Sequence, residues 1–324
     1  MEKDNNDFYA KFIEALKGHV PRRGNLCRML TEILNIERIS VYRRLRGDVP
    51  FTVAEISLIA RKFNVSLDKL MGIAQPYRSL PFNLHHQDFF ALTDTDYKMG
   101  ADYVAAINAA TTQPYSEFGC ASNFVPLHTM ALYEPIYRFM ILKWRYQFGT
   151  KEQKIPYHQV QIPRRLRELH RQYIEAVQKI KYTYLIYNEF SLSHLVHDIL
   201  FFRDLNMITH EEVRMLKDTL EKSLKNMDQL MNTGAYNNGN RVDIYSSGLN
   251  FETSYSYLFA DGVNISMVDA FTLGAITSLD SNAADIMRRW MYSMKRTSTL
   301  ITNNERNRII FLDKLRKTIG KLAS

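Results

Sequence analysis

Apolar and polar positions in the N-terminal quarter of the chain recur with the period of amphipathic helices. Residues 7–17 (DFYAKFIEALK) set Phe8, Phe12, Ile13 and Leu16 on one face. After a short basic link, Pro21-Arg22-Arg23-Gly24, Asn25 is a good N-cap for a second helix that turns Leu26, Met29, Leu30, Ile33 and Leu34 inward. Asn35 then marks a sharp turn, being one of the few non-glycine residues that tolerate the left-handed region. A third helix is predicted from Glu37 to Arg46, with Ile36, Val41 and Leu45 as its apolar side and Gly47 as its stop. Thr52-Val53-Ala54-Glu55 spells a capping box, with Phe51 and Ile56 in the flanking hydrophobic-staple positions. That fourth helix is expected to end near Asn64, and residues 65–72 to form a short fifth element.

Beyond this the pattern loosens. Residues 73–82 (IAQPYRSLPF) carry two prolines and read as a linker, while 83–125 show no clear period. Residues 127–148 are apolar and aromatic enough for a buried helix, and 163–180 read as a basic amphipathic one. Thr209-His210-Glu211-Glu212 is a second capping box, opening a helix to about Met231 with Val213, Leu216, Leu220, Leu224 and Met227 on one stripe. The period then changes. Residues 241–247 alternate, and 251–259 and 263–271 flank Asp261-Gly262, a favourable type I′ hairpin turn. Two helices are expected near 282–296 and 304–319.

The chain has 324 residues, 46% hydrophobic and 23% charged, values that suit a globular protein of two or three units. No stretch of 18 apolar residues lacks charges, and the polar start MEKDNND has no apolar run behind it. The expectation is a cytoplasmic protein with no membrane partner. Two cysteines, Cys27 and Cys120, exclude a disulfide scaffold or a multi-cysteine zinc site. The net charge of +8 is less informative than its placement. Between residues 22 and 46 seven arginines (22, 23, 28, 38, 43, 44 and 46) face only Glu32 and Glu37, the densest basic patch in the sequence.

In residues 31–47, TEILNIERISVYRRLRG, the order helix, tight turn, helix, glycine stop resembles the Cro/repressor-type (XRE-like) helix-turn-helix family of transcription regulators. Leu34-Asn35-Ile36 matches that family's turn, Val41 its buried second-helix residue and Arg46-Gly47 its end; TVAEISLIARKFNVSLDKLMG is similar to the fourth and fifth helices. Four positions depart from the pattern. Thr31 stands for the usual alanine, Asn35 for glycine, and Leu26 and Cys27 for a polar cap and a phosphate-binding glutamine, a contact that Asn25 or Arg28 would have to replace. By position, the resemblance implies base reading by Glu37, Arg38, Ile39 and Tyr42 or Arg43. The chemistry fits: an arginine grips guanine bidentately, and a glutamate accepts from a cytosine amino group. Arg22, Arg23, Arg28, Arg44 and Arg46 are better placed for phosphates, which add affinity but no sequence information.

Nothing comparable marks a catalytic or metal site. His194 and His197 sit three apart on a predicted helix beside Asp198, but without an HExxH pattern or a defined third ligand, and His85-His86 has no better claim. Walker, GxGxxG and GxSxG motifs are absent. No enzyme activity, cofactor or metal is therefore expected. Tyr182, Tyr184, Tyr187, Tyr255, Tyr257, Phe259, Trp290 and Tyr292 could line a ligand pocket or an oligomer interface, although core packing is the commoner use of such residues. The basic run at 164–171 reads as a solvated helix face.

The expected architecture is mainly α: a five-helix helix-turn-helix domain over 1–72, a linker over 73–82 and an α+β effector or dimerisation region over 83–324. That region is expected to be helical at 83–233 and α+β at 234–324, with a small antiparallel sheet. The expected function is a sequence-specific regulator that binds double-stranded DNA at a two-fold site as a homodimer, with a C-terminal region that senses a small ligand. The alternatives are an antitoxin- or phage-type factor whose large region binds another protein, and a DNA-tethered enzyme.

Overall fold

The capping box at Thr52 forms in both directions: the Thr52 N–H donates to Glu55 Oε2 at 2.7 Å, and the Glu55 N–H to Thr52 Oγ1 at 3.2 Å. It starts one of the helices described in the first of two units, residues 1–79 and 80–324, into which the chain divides in a computed structural model. The structure describes residues 2–19, 23–63, 65, 67, 70, 80–85, 87–123, 131–188 and 190–323, with the backbone alone at 2–7, 19 and 23–25. The basic link at 21–22, most of the expected fifth element and residues 73–79 of the expected linker lie outside the described residues.

Among the described residues the helices of the first unit are α1 (Glu2–His19), α2 (Arg23–Leu34), α3 (Arg38–Arg46) and α4 (Val53–Phe63). Their apolar stripes meet in one core of Phe12, Ile13, Leu16, Leu26, Cys27, Leu30, Val41, Phe51, Ile59 and Phe63. Helix α2 starts two residues before the N-cap expected at Asn25. Between α2 and α3 Asn35 takes φ 51°, the left-handed conformation that lets the chain reverse within three residues. Gly47 ends α3 at φ 85°, where its N–H reaches Arg44 O at 3.0 Å and the Asp48 N–H reaches Arg43 O at 2.9 Å. These paired bonds are the Schellman arrangement that only a residue free to adopt positive φ closes easily.

The second unit is built on one eight-stranded mixed sheet, not the small antiparallel sheet expected from the sequence. In chain order its elements are β1 (Asn83–His85), α5 (Asp94–Thr111), β2 (Ser116–Ser122), α6 (Glu134–Phe148), α7 (Arg164–Gln178), β3 (Tyr182–Asn188), α8 (Ser191–Asp204) and α9 (His210–Thr233). There follow β4 (Arg241–Ser247), β5 (Tyr255–Ala260), β6 (Val263–Ala270), β7 (Gly274–Ser278), α10 (Ser281–Arg296), β8 (Thr299–Leu300) and α11 (Glu305–Gly320). The strand order is β1-β7-β6-β5-β2-β3-β4-β8. Strands β2, β3 and β4 run parallel, joined by helical crossovers, and the remaining pairs are antiparallel.

Strands β1, β2 and β3 thus lie within 83–233, the stretch expected to be helical. The reason is burial on both faces. Every residue of β2 is buried, and so is all of β3 after its first, so neither shows the polar/apolar alternation of a half-exposed strand. Their hydrogen-bonding partners also lie far away in sequence: Glu117 pairs with Tyr182, and Tyr182 with Arg241. One face of the sheet gives Phe118, Cys120, Leu185, Val242, Ile244, Leu258 and Ile265 to the main helical core. The other gives Ala121, Tyr184, Ile186 and Tyr257 to a smaller core closed by Met287 and Met291 of α10. Among the described residues no helix is long and apolar enough to cross a membrane.

Candidate nucleic-acid interface

With Val41 fully buried and Leu45 half-buried, the period of 3.6 residues per turn sends the opposite side of α3 to solvent. Ile39, Tyr42 and Arg43 lie toward that side, and Glu37 and Arg38 at the start of the helix are exposed with them, Ile39 to 71%. An isoleucine so exposed is not held there by the core, and it suits contact with a thymine methyl group. Arg38 and Tyr42 are coupled one turn apart: Arg38 Nη2 donates to the Tyr42 hydroxyl at 3.4 Å, and the guanidinium lies 5.6 Å from the ring centroid. Glu37 stands in extended geometry at the N-cap without capping through its side chain. The first amides of α3 and the positive end of its dipole are thereby left open toward an anion.

The basic residues expected at phosphates do not share one environment. Arg44 is committed within the protein: its Nη2 lies 2.9 Å from Glu55 Oε1 and its Nε donates to Glu55 Oε2 at 3.2 Å. Both side chains are largely covered, at 18% and 16% exposure. Burial tends to raise the Glu55 pKa, but the hydrogen bonds from Thr52 and the Arg44 guanidinium outweigh it and hold the carboxyl below its usual range. Arg46 pairs with Asp48 at 2.9 Å and Arg28 more loosely with Glu32 at 3.9 Å, both at the surface, where a phosphate can compete for the guanidinium. Arg22 and the side chain of Arg23 lie outside the described residues. Counting charges along residues 22–46 missed this. Asp48 stands just beyond that window, and Glu55 is brought in by the packing of α4.

Two substitutions in the helix-turn-helix pattern have a local account. The Thr31 hydroxyl donates to Cys27 O at 2.9 Å, so it is satisfied one turn back within α2. Cys27, where a phosphate-binding side chain was looked for, is fully buried in the core. From α1, the Tyr9 hydroxyl donates to Arg44 O at 2.8 Å and accepts the Phe51 N–H at 3.2 Å. It pins the C-terminal end of α3 to the loop that leads into α4.

In the larger unit His194 and His197 are exposed on α8, and Asp198 is paired with Lys143 at 2.6 Å. Among the described residues no group of three His, Cys, Asp or Glu side chains is gathered as a metal site would require. The tyrosines do converge, but around a residue that sequence reading passed over. Glu117 of β2 has no exposed surface and accepts hydrogen bonds from Tyr115, Tyr257 and Tyr292, the last at 2.9 Å, with Arg288 of α10 at 3.4 Å. Burial alone would raise its pKa. The three phenols and the guanidinium outweigh that, and the carboxyl is held below its usual value. With its acceptors filled from within the chain, the group is a structural anchor for α10.

Residues 17–131 match the BetR domain family, a DNA-binding domain of the helix-turn-helix type. The match begins in α1, takes in α2 to α4 and extends through β2 of the larger unit. It points to a DNA-binding regulatory role. No curated protein and no solved structure matches the chain.

Proposed function

We propose that this chain is a sequence-specific transcription regulator of the Cro/repressor kind that inserts α3 into the DNA major groove and binds a two-fold site as a dimer. The observation that carries this reading is the exposed strip Glu37, Arg38, Ile39, Tyr42 and Arg43 on a short helix held at both ends. Asn35 orients its start, and Gly47, Tyr9 and the Arg44–Glu55 pair fix its end. A helix of this size reaches only a few base pairs, so useful specificity calls for two half-sites about one helical turn apart. Base edges fall to Glu37, Arg38, Ile39, Tyr42 and Arg43. Arg28 and Arg46, together with Arg22 and Arg23, serve phosphates.

Selection of bound duplexes from a random pool by the full-length protein, repeated at several salt concentrations, tests this. The reading expects a palindromic motif that is lost in the Arg38→Ala/Arg43→Ala variant. Binding without a motif that vanishes as salt rises would reduce the basic patch to simple electrostatics and overturn it.

Ligand sensing by the larger unit is a second reading, favoured by one cavity. A hollow of about 240 Å³ is lined by Arg203, His210, Arg214 and Lys217 over Val213, Leu322 and Ala323. Arg214 stands on its rim beside Arg203 and Lys217, which pair with Asp204 and Glu221, and with the apolar floor this suits a small organic anion. Thermal unfolding with succinate or inorganic phosphate tests it: a saturable rise in midpoint that is lost in Arg214→Ala supports the reading, and an unchanged midpoint removes it.

A further inference from the structure

Helix α10 is amphipathic in a way its own fold uses only by half. Ala283, Ala284, Met287 and Met291 face the sheet and are buried. The opposite side presents Asp285, Ile286, Arg289 and Trp290, all exposed, with Ile286 at 48% and Trp290 at 49%. The spacing i, i+1, i+4, i+5 places these four on one face. The apolar surface continues beyond the helix. Trp290 sets its edge against Tyr255 of β5, with ring centroids 6.4 Å apart, and Tyr255 pairs across the strands with Val268 and Val268 with Ile276. Leu279, just before α10, is likewise exposed. An exposed isoleucine and tryptophan one turn apart, the tryptophan joined to a sheet row, make the kind of apolar patch that marks an interaction surface.

The charges on this face say what covers it. Asp285 and Arg289 stand one turn apart, and among the described residues neither makes an ion pair with the other or with any third residue. A two-fold axis perpendicular to the helix reverses the order of residues in a second copy. Asp285 of one copy then faces Arg289 of the other, twice, while Ile286 and Trp290 pack between them. A parallel arrangement would set Asp285 against Asp285 and Arg289 against Arg289, an opposition that costs affinity. The face is therefore self-complementary in one orientation only, as an isologous interface must be.

We propose that the outward face of α10 is a homodimer interface in which two copies of this chain pair with their α10 helices antiparallel through Asp285, Ile286, Arg289 and Trp290. The inference deepens the dimeric reading of the function and rests on it for its purpose.

Sedimentation of the full-length protein across a concentration series tests the proposal. Asp285→Arg and Arg289→Asp are each expected to weaken dimerisation by about tenfold or more, since each places like charges opposite one another. The double variant regains the dimer. More tellingly, an equimolar mixture of the two single variants forms heterodimers, because one copy then carries two arginines and the other two acids. Repair of a contact within one helix cannot produce that rescue. Far-UV circular dichroism and the urea midpoint of each variant confirm folding, and Trp290→Ala provides a charge-neutral disruption. A wild-type monomer, single variants that dimerise like wild type, or a mixture that stays monomeric would each overturn the proposal, and would leave the face to a different protein or to another part of this chain.

DNA selection repeated with the variants separates this from the functional reading. An α10 dimer that selects no motif leaves the interface standing and removes the regulator. A palindrome selected equally by wild type and single variants places the dimer contact elsewhere.

Discussion

Arg44 and Glu55 form a two-contact ion pair, Nη2 to Oε1 at 2.9 Å and Nε to Oε2 at 3.2 Å, that ties the end of α3 to the start of α4. The same Glu55 carboxylate accepts the Thr52 N–H, so one side chain serves both as a cap and as a tie between helices. Arg44, which the resemblance places at a phosphate, is held by Glu55 in the chain without DNA.

Arg44→Ala should therefore weaken DNA binding without changing its dependence on salt. Arg28→Ala should lower affinity for all sequences and reduce the slope of log affinity against log salt by about 1. Binding isotherms at four or five salt concentrations check both outcomes. A reduced slope for Arg44→Ala would mean that it leaves Glu55 for a phosphate in the complex.

Arg38→Ala should relax base preference at one position of each half-site, losing about 1–3 kcal/mol of discrimination there. Competition between the selected site and its single-base variants measures this. An even loss across all competitors would assign Arg38 to the DNA backbone.

Tyr9→Phe removes the acceptor for the Phe51 N–H and the donor to Arg44 O. The cost should be about 1–2 kcal/mol, because an amide at a buried residue loses its partner. Native-state hydrogen exchange over residues 44–51 should quicken accordingly, while exchange in the main core of the larger unit stays as it was.

Glu117→Gln should destabilise the larger unit by about 3 kcal/mol, since Arg288 loses its counter-charge and the tyrosines lose a charged acceptor. Both tryptophans, Trp144 and Trp290, belong to this unit, so urea unfolding followed by tryptophan fluorescence reports on it. An unchanged midpoint would show that the network contributes little.

Stability of the larger unit should fall as the medium is acidified from pH 6.5 toward 4. Burial pushes the His170 pKa down from 6.5 to about 4, with the ring set edge-on against Tyr137 at 4.3 Å. In that window the unfolded chain binds a proton that the folded one refuses. The stability present above pH 6.5 is therefore lost on the way down, on the order of 3 kcal/mol in all. His170→Leu should flatten the dependence between pH 6.5 and 4.5. Below that, Glu117 adds its own loss, since its carboxyl is held below the usual range in the folded state.

The candidate interface was legible to different depths. The Cro/repressor resemblance put Glu37, Arg38, Ile39 and Tyr42 or Arg43 at the bases, and the structure has all five exposed, whereas helix phase alone also turned Ser40 and Arg44 outward and both are half-buried. The same reading could not sort Arg44 from Arg43. Their letters are identical, and the difference lies in Glu55, eleven residues on and brought near by α4 packing. Glu117 lay in a stretch without a discernible period, in a strand where every residue is buried.

What the sequence by itself determined are the features whose causes lie within a turn or two: the capping boxes at Thr52 and Thr209, the left-handed Asn35 and Gly47, and the hairpin at Asp261-Gly262, although there Gly262 takes positive φ and Asp261 does not, so the turn is not the expected type I′. Each depends on side chains and amides a few residues apart, so the local letters hold all the information. Only the tertiary structure decided the eight-stranded mixed sheet, the gathering of Tyr115, Tyr257, Tyr292 and Arg288 on Glu117, and the commitment of Arg44 to Glu55. Parallel strands need crossovers of a dozen residues or more, and a strand buried on both faces carries no alternation to announce it. Such partners are chosen by packing across the fold, where proximity along the chain says nothing.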